Sequence, residues 1–151
     1  MPVGSQAQTP AYYPIPSCTG NASTTASVAA QAGLKAVTGA GVSGLSSAGK
    51  VSFSFVSQTC GGYRFLLRVR DPRPGKRHRK TTIGYSTLVN YLSTIEAGQT
   101  KKVSANINPT GKAILKYAKA HNSSLRTLVI THVRASNSST SDQVINGILL
   151  K

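Results

Sequence analysis

The chain has 151 residues and carries 18 Lys or Arg against 3 Asp or Glu, a formal charge of +15. Only 14% of its residues are charged, which excludes a charge-laced helical bundle or coiled coil, whose surfaces need many Glu/Lys pairs. Asp71, Glu96 and Asp142 are the only acids, so a carboxylate-based enzyme is poorly supported, and no apolar run approaches the length of a membrane-spanning helix.

Residues 1–49 are dominated by Ala, Gly, Ser, Thr and Pro, with one charge, Lys35. Met1-Pro2-Val3-Gly4-Ser5 lacks the basic end and apolar stretch of a signal peptide, so the expectation is a protein made and assembled inside a cell. Pro10 to Pro16 reads as extended, because each proline biases its predecessor away from helix. From Thr24 to Thr38 a weak helix is expected, capped by Thr24 or Thr25, interrupted by Gly33 and followed by Gly39, Gly41 and Gly44. This half has too few large apolar residues for a core of its own. Residues 1–49 are therefore expected to form an extended arm that orders by docking on a partner, with Tyr12, Tyr13 and Ile15 as its anchors.

Residues 50–151 read as a separate, β-rich domain. Val51, Phe53 and Phe55 alternate with Ser52 and Ser54, the period of a half-buried strand. After the turn cluster Gln58 to Gly62, the residues Tyr63, Phe65, Leu67 and Val69 alternate with Arg64, Arg68 and Arg70, which gives a strand with one apolar and one basic face. Asp71-Pro72-Arg73-Pro74-Gly75 stops that strand. Further strands are expected over Thr81–Leu92, around Val103–Ile107, over Leu125–Ala135 and over Val144–Leu150. Ala113, Ile114, Tyr117 and Ala118 fall at helical spacing instead, so one short helix is expected over Pro109–Ala120, capped by Asn108 or Thr110. Six or seven strands in about 100 residues argue for an all-β antiparallel sandwich.

The basic run is the strongest local signal. Arg64, Arg68, Arg70, Arg73, Lys76, Arg77, Arg79 and Lys80 are eight of the 18 basic residues, in one strand and the loop that follows. Such a stripe suits carboxylates on an acidic protein surface, or phosphates at a cost that rises with salt; a solvated, self-repelling loop is the plain alternative. Aromatic interleaving of the kind that single-strand binders use is thin, because Tyr63 and Phe65 are expected to face the core. His78, His121 and His132 have no metal-ligand spacing, and no nucleophile elbow or phosphate loop is present, so no cofactor or metal is expected. Cys18 and Cys60 are either two buried thiols or one disulfide.

The order Ile95-Glu96-Ala97-Gly98-Gln99-Thr100-Lys101-Lys102-Val103, then Ile107-Asn108-Pro109-Thr110-Gly111-Lys112-Ala113-Ile114-Leu115-Lys116, then Leu125-Arg126-Thr127-Leu128-Val129-Ile130 resembles the immunoglobulin-like β-sandwich modules of actinobacterial surface and secreted proteins. Gly49-Lys50-Val51-Ser52-Phe53 and Cys60-Gly61-Gly62-Tyr63 look like their first hairpin. The resemblance covers residues 49–151 and implies an immunoglobulin-like fold. Those modules usually pair two cysteines around that hairpin, whereas only Cys60 lies there in this chain. An immunoglobulin-like domain behind an arm is similar to the decoration (cement) and tail accessory proteins of bacteriophage particles. The resulting expectation is a non-enzymatic structural protein of a virion, binding a capsid or other virion protein lattice through its arm and basic face and self-associating on the particle. The alternatives are a secreted or cell-surface module that binds polyanions or glycans, and a basic nucleic-acid-associated protein.

Overall fold

The computed structural model describes residues 22–74, 84–135 and 139–150. Helix α1 (Ala22–Ala48) is followed by β1 (Lys50–Val56), β2 (Gly61–Arg70), β3 (Tyr85–Ile95), β4 (Thr100–Asn106), α2 (Pro109–Ala120), β5 (Leu125–Ala135) and β6 (Thr140–Leu149). The strands form two antiparallel sheets. One is the pair β1–β4, and the other has four strands in the order β3-β2-β5-β6. The fold is mostly β, as the alternating patterns require, and the six strands lie where the alternation points. Two of them start elsewhere than expected: β3 runs over Tyr85–Ile95 rather than Thr81–Leu92, and β6 begins at Thr140 rather than Val144.

The two central strands of the large sheet, β2 and β5, bury one set of alternate side chains. Tyr63, Phe65, Leu67 and Val69 of β2, and Leu125, Val129 and Val133 of β5, are buried. β1 and β4 answer with Val51, Phe55, Val103 and Ala105. Phe53 meets Phe65 edge-on with ring centroids 4.9 Å apart, and Phe55 lies 5.1 Å from Tyr63. Such aromatic pairs tie the two sheets together by more than their buried area alone. Helix α2 is closed at its start by Asn108, whose side chain accepts from the Gly111 amide at 2.7 Å, with Pro109 in the first turn. Its buried face, Ile114, Leu115 and Ala118, joins the same core.

The helix expected over Thr24–Thr38 is present and longer, spanning Ala22–Ala48, but the expectation that residues 22–48 belong to an extended arm fails. These form α1, the first of the two described helices, and α1 belongs to the core. Ala22, Ala26, Ala29, Ala30, Val37, Val42 and Leu45 are all buried. The segment indeed lacks the bulk for its own core, but small side chains let the helix axis approach the sheet closely, and the helix then covers apolar surface supplied by the strands. Gly33 shows how close: a Cβ placed there would lie 2.8 Å from Phe65 Cε1. Neither Thr24 nor Thr25 is a cap, because the described helix already starts at Ala22. Thr25 is buried, and its Oγ1 accepts from the Gln58 amide at 3.1 Å. The helix breaks at Gly41, with φ 71° and ψ −177°, a combination open essentially to glycine alone. Residues 1–21, and with them the proposed anchors Tyr12, Tyr13 and Ile15, lie outside the described residues.

Candidate functional site

Helix α1 and the β1–β4 pair pack on the inner face of the four-stranded sheet. Among the described residues nothing covers its outer face. Because side chains alternate along a strand, Arg64, Leu66, Arg68 and Arg70 of β2 project away from the core together. The expectation that these arginines share a face therefore holds. Directly opposite residues of neighbouring strands share a face, so the register extends this surface in both directions. Arg64 lies between Leu92 of β3 and His132 of β5; Leu66 lies between Asn90 and Ile130; Arg68 lies between Thr87 and Leu128. At the end of the ladder Val69 pairs with Thr127 and Arg70 with Tyr85, which sets Arg70 next to Arg126. β6 continues the rows with Asp142 beside His132, Val144 beside Ile130 and Ile148 beside Arg126.

The face thus carries five arginines, Arg64, Arg68, Arg70, Arg126 and Arg134, in rows with aliphatic side chains. Leu92, Val144 and Ile148 are 65%, 59% and 56% exposed. One acid, Asp142, lies on it, and its carboxylate is joined to His132 Nδ1. A shallow cleft at one end is lined by Tyr85, Arg126, Asn146 and Ile148.

The predicted stripe divides under this geometry. Arg64 and Arg70 are exposed and carry no described ion pair. Arg68 is half-buried; its Nη2 donates to the Tyr85 carbonyl at 3.4 Å, and its Nε is buried without a partner. Arg73 is already engaged. Its Nε donates to Asp71 Oδ1 at 3.0 Å and its Nη2 to Asp71 Oδ2 at 2.9 Å, and the hydrogen bonding with this buried carboxylate raises the guanidinium pKa further. Arg73 holds the turn after β2 and is not part of a free stripe. Lys76, Arg77, Arg79 and Lys80, with His78, lie outside the described residues.

Arg126 and Arg134 escaped the reading of the basic run because they lie far from it in sequence. The signal was present: both occupy the polar alternates of Leu125–Ala135. Only the pairing of β5 with β2 brings them beside Arg64 and Arg70.

His121 Nδ1 lies 2.9 Å from the Tyr117 carbonyl, and its ring stacks on Tyr117 at the end of α2. Among the described residues no cluster of His, Cys, Asp or Glu could hold a metal ion, and no helix is long and apolar enough to cross a membrane. Cys60 is disulfide-bonded; Cys18, the one other cysteine of the chain, lies outside the described residues. The Ala97 amide donates to Cys60 Sγ at 3.4 Å. No protein-family model matches the chain, and neither does any curated protein or solved structure.

Proposed function

We propose that the chain is a non-enzymatic structural module with an immunoglobulin-like sandwich, which docks on an acidic protein surface through the open face of its large sheet. The setting that fits is an accessory or decoration protein on a virion lattice. The observation that carries the reading is the composition of the face. Arginines alone would serve phosphates or carboxylates equally, but Leu92, Val144 and Ile148 gain nothing from facing a phosphate backbone. Against protein they are buried, while the arginine forks pair with carboxylates, and Arg with apolar neighbours is the composition of interface centres. A nucleic-acid platform would need stacking aromatics, and of the described aromatic residues only Tyr85 lies on this face. Repetition of one such contact over a symmetric shell turns modest affinity into firm attachment.

The test is affinity capture from native source lysate at graded salt, comparing the wild-type chain with an Arg64→Glu/Arg126→Glu variant. Recovery of one abundant self-assembling shell or tail protein by the wild type, lost in the variant, is the expected result. Recovery of nucleic acid alone, released by moderate salt, would sink the reading.

A second setting is favoured by one observation, the disulfide at Cys60. Disulfides persist in oxidising compartments, so a secreted or cell-surface module that binds polyanions or glycans through the same face is the rival. The N-terminus of the protein isolated from its source separates the two: a trimmed chain in the medium favours the rival, an untrimmed chain on particles the virion setting.

A further inference from the structure

The sheets expose edges, and three of them carry a device that prevents pairing with another chain. In the small sheet, β1 begins with Lys50, and β4 carries Lys101 and Lys102. The outer edge of β3 is bulged, because Leu67 faces Val89 and Arg68 faces Thr87, which leaves Leu88 over. Asn108 covers that bulge: its amide donates to the Leu88 carbonyl at 2.9 Å and its Nδ2 to the Thr87 carbonyl at 2.7 Å. Lysines, bulges and covering groups are the usual protections of an edge strand.

Among the described residues β6 has none of them. It runs ten residues, Thr140–Leu149, in unbroken register with β5, and pairs with no described strand on its other side. It contains no Lys, Arg or Pro, and its one charge, Asp142, is turned to His132 of its own sheet. Val144 and Ile148 stand exposed on it. The adjoining helix α1, which packs under β6, carries a single charge, Lys35, and exposes Val28. In a chain of net charge +15, this α1–β6 flank is the part where like-charge repulsion between two molecules is weakest.

We propose that β6 pairs antiparallel with β6 of a second copy of this chain, joining two four-stranded sheets into one of eight strands. Antiparallel pairing of identical strands places the two-fold axis perpendicular to the sheet, so both open faces lie on the same side. The arginine–aliphatic surface is then doubled and continuous. A register centred on Val144 sets each Val144 beside its own copy and each Asp142 beside Asn146 of the other copy, so no two carboxylates meet. The pairing rests on no part of the docking reading, and the two fail separately.

The experiment is sedimentation of the full chain, with its disulfide intact, over a concentration series up to about 1 mM. A concentration-dependent dimer is expected, weakened at least about tenfold by Val144→Lys and unchanged by Arg64→Glu/Arg126→Glu. Amide exchange in the wild type supplies a readout that needs no variant: exchange across 140–149 should slow as concentration rises. A wild type that stays monomeric throughout, a dimer indifferent to Val144→Lys in a folded variant, or exchange across β6 that ignores concentration would each overturn the proposal.

Discussion

The Val42 amide donates to the Leu150 carbonyl at 2.7 Å, joining the break in α1 to the end of the last strand. Val42 is free to do so because Gly41, immediately before it, leaves the helical conformation. The break redirects the chain so that Val42 and Leu45 are also buried. A Gly41→Ala substitution forces a side chain into a backbone region that L residues avoid, and should lower unfolding free energy by about 1–3 kcal/mol. Gly39→Ala is the control. A Cβ there meets nothing within 4 Å, and the exchange should stabilise the helix by about 0.5–1 kcal/mol. Urea denaturation of both variants checks the pair.

Tyr63 gives a pH-dependent prediction. Its hydroxyl is buried without a hydrogen-bond partner, and burial, with Tyr91 adding repulsion, pushes its pKa well above the ordinary tyrosine range. Below about pH 10 both folded and unfolded chains hold this proton, and its contribution to stability is flat. Above that pH the unfolded chain releases the proton while the folded chain keeps it, so stability falls as pH rises. Tyr63→Phe should make the alkaline loss shallower, and should raise stability at neutral pH by about 1 kcal/mol by removing an unpaired polar group. Denaturation at a series of pH values from 7 to about 11 reads both effects.

The aliphatic members of the open face separate a protein partner from a polyanion. Leu92→Ser and Ile148→Ser remove apolar area that is already exposed, so stability should change by no more than about 0.5 kcal/mol. Docking on a captured partner should weaken in both, and the weakening should persist at about 1 M salt, where charge attraction is screened beyond roughly 3 Å. Binding that is insensitive to either substitution at high salt would assign the affinity to charge alone.

The disulfide at Cys60 anchors the turn before β2, where the Ala97 amide meets its sulfur. Reduction should lower unfolding free energy by about 2–4 kcal/mol, the range of a native disulfide. Melting curves with and without reductant, at fixed protein concentration, measure the loss.

The strands and α2 were legible in alternation and spacing, apart from the bounds of β3 and the start of β6. An alternating pattern such as Tyr63 to Arg70 buries one face of a strand, and Asn108-Pro109 ahead of a helically spaced run suits a helix start. The sequence by itself also determined that Arg64, Arg68 and Arg70 share a side, since that follows from the period of a strand. The role of residues 22–48 was decided by tertiary structure. Alanine and glycine carry too little apolar area to announce a core helix, and their value appears only when a sheet lies close enough to use the short approach, as Phe65 does against Gly33. Strand pairing decided the rest: Arg126 and Arg134 join the arginines of β2 because β5 lies beside it, and Arg73 leaves the stripe because Asp71 turns back to hold it. Periodicity acts within one strand and is legible there, whereas neighbours across a sheet are chosen by how all the apolar faces close on one another, which no local pattern records.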